Sequence, residues 1–137
     1  MATIKIPYGR EHLKLSVKKE QLKAVLEPGK QSIKPIESEQ EIVRRALAAP
    51  VESRPLAELA AKAKHVLVIT SDHTRPLPSA ITLPIYLEEI RHSNPDIKIK
   101  ILVATGFHRL TSPDELISKF GAELCRKEEI IVHDSRD

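Results

Sequence analysis

The chain has 137 residues, 41% hydrophobic and 30% charged, the balance of one soluble globular domain and not of a disordered segment. Its formal net charge of +3 is scattered, with no basic block among aromatics, so no nucleic-acid partner is expected, while a mild positive field suits a small anion. The single cysteine, Cys125, excludes an internal disulfide or thiolate cluster, and no apolar stretch approaches the ~20 residues that span a bilayer.

Aromatic residues make up 3% and tryptophan is absent, so Leu, Ile, Val and Ala must build the core. Cys125 falls beside the apolar frame of Leu116, Phe120 and Leu124, where a small buried thiol is expected. The N-terminus shows no basic start leading into an apolar run, which makes a cytoplasmic location the default and a membrane partner unexpected.

Residues 2–7 and 11–17 alternate apolar and polar side chains around the turn Tyr8-Gly9-Arg10-Glu11, which predicts a β-hairpin. A short apolar segment at 22–26 stops at Pro28-Gly29, and 27–36 reads as loop. Ser38 followed by Glu41 is a capping box that opens a helix over about 39–48, with Ile42, Val43 and Leu47 inward. Pro55 opens a second helix with Leu56, Leu59, Ala60 and Ala63 inward.

His65 to Thr70 is a nearly unbroken apolar run, the pattern of a strand covered on both faces. A polar, proline-rich loop at 71–78 leads to a helix over about 79–92, with Pro84 early in it. After the turn at Asn94-Pro95-Asp96, residues 97–103 read as a strand. The loop 105–109 follows, then a second capping box at Ser112 and Glu115, a helix over 113–119 carrying Leu116, Ile117 and Phe120, and a stop at Gly121. Ile130 to Val132 is a last strand. The fold class is therefore α/β: a parallel sheet with two right-handed crossover helices, preceded by an N-terminal hairpin.

Ligands of open parallel sheets bind beyond the carboxyl ends of the strands. Those places hold Ser71, Asp72, His73, Thr74 and Arg75, then Thr105, His108 and Arg109, then His133 and Asp134. Arg75 offers a planar fork for a carboxylate or phosphate. Asp72 can neutralise that fork, orient a neighbouring imidazole, or merely cap a turn. Gly106 lets the backbone turn sharply before His108, Phe107 can shield the imidazole, and Arg109 can hold an anion beside it. A histidine so placed can take and return a proton near neutral pH, although a lone loop histidine is also what a solvated surface provides. His133-Asp134 is a weaker signal, because adjacent residues of an extended chain point apart. No Walker or dinucleotide glycine loop, zinc-protease helix or nucleophile elbow is present.

Ser71-Asp72-His73-Thr74-Arg75-Pro76 and Ala104-Thr105-Gly106-Phe107-His108-Arg109 together resemble the nickel-dependent lactate racemase family. Val25-Leu26-Glu27-Pro28 and Ile131-Val132-His133-Asp134 are similar as well, so the likeness covers nearly the whole chain. The resemblance implies a two-domain α/β enzyme that inverts the hydroxyl-bearing carbon of a 2-hydroxy acid such as lactate. Its cofactor would be a nickel-pincer nucleotide, a pyridinium mononucleotide carrying nickel. His108 then matches an acid-base histidine. Asp72, His73, Thr74 and Arg75 match a cofactor-contacting loop, with Arg75 also on the substrate carboxylate. The second catalytic histidine, the cofactor-bearing lysine and the nickel ligand would lie beyond Asp137, so no residue of this chain is assigned to the metal. Residues 1–137 are thus expected to be one incomplete N-terminal domain, inactive by itself, with the second domain absent. Two other readings remain open: a standalone module that binds a nucleotide or organic anion without catalysis, and an oligomerising or regulatory remnant. No oligomeric state follows from the sequence.

Overall fold

The computed structural model describes residues 1–26 and 35–137. The expected loop at 27–36 therefore falls almost wholly outside the described residues, as does part of the Val25 to Pro28 likeness. The chain divides into two compact units, Met1–Ile36 and Glu37–Asp137.

The first unit is the expected hairpin. Strand β1 (Ala2–Tyr8) pairs antiparallel with β2 (Glu11–Val17), placing Ile4 opposite Leu15 and Ile6 opposite Leu13. These cross-strand pairs put the aliphatic side chains on one face, the usual unit of sheet stabilisation. Gly9 takes φ +60° in the two-residue turn, a conformation that glycine adopts without penalty. A single 3-10 turn at Lys19–Gln21 follows, and the apolar segment at 22–26 forms no helix or strand.

The second unit carries α1 (Glu39–Ala48), α2 (Leu56–Ala60), β3 (His65–Ser71), α3 (Ser79–Ser93), β4 (Lys98–Ala104), α4 (Pro113–Phe120), α5 (Ala122–Lys127) and β5 (Glu129–Val132). Both capping boxes form, Ser38 with Glu41 and Ser112 with Glu115. Pro84 is the sixth residue of α3, deeper than expected, so the Ala80 carbonyl has no helical amide to accept there. Gly121, at φ +88°, ends α4 as expected, and α5, which the reading of the sequence did not separate, begins at once.

The three strands are parallel in the order β3-β4-β5, with Ile101 paired to both Val68 and Ile130. Each crossover advances the sheet in the same direction. Crossovers of one hand must then lay their helices on one face. The core is built that way: Val66, Val68, Ile99, Ile101, Val103, Ile130 and Val132 pack with Leu83, Leu87 and Ile90 of α3, Phe120 of α4 and Leu124 of α5. Cys125 sits against this core as expected, and burial pushes its thiol up from the ordinary value.

The opposite face departs from expectation. Leu67 and Ile69 are 55% and 65% exposed, so β3 is covered on one face and not both. A continuous apolar run says which residues resist water, not which element covers them. Leu59, expected inward, is also exposed, as is Ile117 on α4, because α2 and α4 are short and bury only one narrow stripe each.

This division has a measurable consequence. Ile101→Ala, at a fully buried position, should cost about 2–5 kcal/mol by denaturant unfolding. Leu67→Ala on the open face should cost less than about 0.5 kcal/mol. Equal costs would show that the open face is packed.

Candidate active site at the carboxyl ends of β3 and β4

The loops after β3 and β4 meet through one hydrogen bond. His108 Nδ1 lies 2.6 Å from Asp72 Oδ2. Asp72 is 2% exposed, whereas the His108 side chain is half exposed. The other carboxylate oxygen of Asp72 accepts the Thr74 hydroxyl at 2.7 Å and the Thr74 amide at 3.1 Å. Asp72 therefore does two of the things open to it in the sequence: it orients an imidazole and closes an Asx turn.

Burial alone would raise the Asp72 carboxyl, but the Thr74 hydroxyl, the His108 imidazole and the Thr74 amide outweigh it and hold the group well below the usual carboxylate range. An ionised carboxylate only accepts, so Nδ1 of His108 must carry the proton it shares. Nε2 is then left with a lone pair in the neutral ring.

The backbone sets His108 in place. Gly106 takes φ +57°, and the His108 amide returns to the Thr105 carbonyl at 3.1 Å. Thr105, 2% exposed, donates its hydroxyl to the His133 carbonyl at 2.6 Å, which ties the loop to the end of β5. His133 contributes through its backbone, and Asp134 accepts the Arg136 amide at 2.9 Å in a terminal turn, so this pair does not join the site.

Two expectations for this loop are corrected. Arg109 does not hold an anion beside His108: its guanidinium grips Glu115 with bonds of 2.8 and 2.6 Å, and a matched carboxylate outcompetes water for a planar fork. Phe107 is 93% exposed and shields nothing in this chain.

The rest of the first motif faces a neighbouring recess. His73 Nδ1 lies 3.1 Å from the Thr111 hydroxyl and 3.8 Å from Glu115 Oε2. Arg75 keeps its amide toward the Asp72 carbonyl, at 3.4 Å, while its own carbonyl accepts Lys119 Nζ at 2.9 Å. His73 and Arg75 line a recess of about 440 Å³ together with Lys119, and His108 is not among its walls. Thr111, Glu115 and Lys119 carry no site signal in the sequence. Glu115 was legible as a helix cap, but a cap carboxylate has a second oxygen, and here it reaches Arg109. Among the described residues no group of three or more His, Cys, Asp or Glu side chains could hold a metal ion. No described helix is long and apolar enough to cross a membrane.

Glu115 links the two loops to pH. Its carboxyl is held at about 2, against an ordinary 4.5, first by the Arg109 hydrogen bonds and then by the Ser112 amide. A carboxylate lowered on folding adds stability above its ordinary value and loses it as pH falls toward its folded value. Denaturant midpoints should therefore decline from about pH 4.5 to about pH 2, and Glu115→Gln should flatten that decline. An identical pH profile in the variant would contradict the assignment.

Comparison with known proteins bears on this geometry. The family described as lactate racemase N-terminal domain matches residues 8–137. The lactate racemase of Thermoanaerobacterium thermosaccharolyticum is 47% identical over all 137 residues, which span 32% of that protein. The lactate racemase of Lactiplantibacillus plantarum is 39% identical over the same length, again 32% of that protein. The solved structure of the lactate racemase apoprotein from T. thermosaccharolyticum superposes with a TM-score of 0.83 at 45% identity, covering 98% of this chain and 30% of that one. The chain thus spans about a third of the length of these relatives. A family match over 130 of the 137 residues (8 to 137), joined to two relatives at 39–47% identity over the whole chain, places this chain in the lactate racemase N-terminal domain family.

Proposed function

We propose that this chain is the N-terminal catalytic domain of a racemase or epimerase acting on a small 2-hydroxy acid such as lactate, with His108 as one of its acid-base groups. The observation that carries it is the 2.6 Å bond between buried Asp72 and half-exposed His108. Inverting a hydroxyl-bearing carbon requires that its hydrogen leave and return while the hydroxyl proton is taken up and given back. Nε2 of His108 offers the lone pair for that proton. When it is taken up, the imidazolium lies against the Asp72 carboxylate, which lowers the cost of the charge. Asp72 is thus a positioning residue, fixing both tautomer and ring orientation.

Arg75 supplies what the other end of the substrate needs. Among the described residues its guanidinium makes no hydrogen bond or ion pair, leaving the fork open to a carboxylate. Asp72, His73, Thr74 and Arg75 form the loop that would meet a nickel-pincer nucleotide, and the open cation of Arg75 fits an anionic mononucleotide. Such a group, when bound, supplies the hydride-accepting chemistry. No residue here is assigned to its metal. The reading places the enzyme in the cytoplasm, where Cys125 stays a thiol.

The test is His108→Ala in a protein carrying this chain together with the remaining two thirds found in its relatives. Loss of an acid-base group should slow lactate interconversion roughly 10²–10⁴-fold with cofactor content unchanged. Arg75→Ala should raise KM as well as slow turnover. A His108→Ala enzyme that keeps its nickel and runs near the wild-type rate in both directions would reduce His108 to an ordinary loop residue.

A further inference from the structure

We propose that Thr105 is a positioning residue for His108: its buried hydroxyl, bonded to the His133 carbonyl, sets where the imidazole stands against Asp72. The inference rests on the acid-base reading of His108 given above. It gives a role to a residue that lies outside the cofactor loop and takes no part in the proton transfer itself.

The loop that carries His108 has little packing to hold it. Residues 106–110 are all exposed, and only the two threonines that bound them, Thr105 and Thr111, are buried. A Cβ placed on Gly106 would meet no atom beyond its chain neighbours within 4 Å. The Gly106 φ of +57° is therefore set by the turn and not by crowding. Asp72 reaches His108 from the β3 side at 2.6 Å. The β4 side must be held as firmly, because a drift of about 1 Å would break such a bond.

Thr105 holds it with two groups. Its carbonyl accepts the His108 amide at 3.1 Å, and its hydroxyl donates to the His133 carbonyl at 2.6 Å. The His133 amide in turn donates to the Val103 carbonyl at 3.0 Å. In a continued parallel ladder, the next donor to the His133 carbonyl would be the Thr105 amide. Among the described residues that amide has no backbone partner, and the hydroxyl fills its place. This exchange lets β4 stop pairing through its main chain and turn at Gly106 while it stays fastened to the end of β5. The donor is what the position requires, since valine would fill the same volume without one.

The test uses a protein carrying this chain together with the remaining two thirds found in its relatives. Thr105→Val keeps the volume and removes the donor, whereas Thr105→Ser keeps the donor. Thr105→Val should lower kcat for lactate interconversion roughly ten- to a hundredfold, with KM and cofactor content unchanged. Thr105→Ser should keep the wild-type kcat. Long-range proton–nitrogen spectra should show that the neutral His108 ring loses its Nδ1–H preference in Thr105→Val and keeps it in Thr105→Ser. The double variant Thr105→Val/His108→Ala should be no slower than His108→Ala, since a group that acts through His108 then has nothing to act on. If Thr105→Val does not fold, Thr105→Cys takes its place, because it differs from Thr105→Ser mainly in being a weaker donor. The proposal is overturned by wild-type kcat and tautomer in the variant without a strong donor, by a Thr105→Ser enzyme as slow as that variant, or by additive losses in the double variant. A slow His108→Ala enzyme beside a Thr105→Val enzyme of wild-type rate would remove the role of Thr105 alone. A His108→Ala enzyme of wild-type rate would remove the reading on which both rest.

Discussion

Everything at the site depends on keeping one carboxylate charged while it is nearly excluded from water. Asp72 is 2% exposed, and an ionised group at such depth is costly unless it is fully paired. Three donors pay for it: the amide and hydroxyl of Thr74 on one oxygen, and the imidazole of His108 on the other. Thr74 lies two residues away and is set by the local turn. His108 is thirty-six residues away and arrives on a different strand. The requirement to satisfy Asp72 therefore locks two loops together and fixes the outward nitrogen of the imidazole.

The sheet makes that meeting possible. Parallel pairing puts the carboxyl ends of β3 and β4 side by side, with Ser71 opposite Ala104, so the next residues of each strand enter the same space. Helix α4 then braces both loops from one side. Glu115 near its start holds Arg109, and Lys119 near its end holds the Arg75 carbonyl. The exposed Arg109–Glu115 ion pair contributes little to stability, and the Lys119 contact is a single surface hydrogen bond. Their effect is geometric, since they set where the two motif loops stand. Because both crossovers build helices on one face, the loops also open beside helix N-termini, which favours anions there.

Local rules made much of this legible. The Ser38 and Ser112 boxes fall where hydroxyl and carboxylate spacing put them, and the strand ends carry the polar residues that a parallel sheet collects there. What local rules miss is pairing across the fold. Arg109 looks like a free anion holder until Glu115, six residues on, is seen to turn back toward it. Lys119 reads as an ordinary helix lysine because its partner, the Arg75 carbonyl, is forty-four residues away and carries no side-chain signal. The apolar run of β3 reads as covered on both faces, yet Leu67 and Ile69 remain open, since hydropathy cannot name the covering element. Asp72 was legible as one of three alternatives, and only the meeting of two loops selects among them.

The tautomer of His108 tests the central claim most directly. Long-range proton–nitrogen spectra of the chain, with the imidazole neutral, distinguish a ring protonated at Nδ1 from one protonated at Nε2. An ionised Asp72 that accepts from Nδ1 requires the Nδ1–H form, and Asp72→Asn should destroy that preference. A neutral His108 protonated at Nε2 in the wild-type chain would contradict the account.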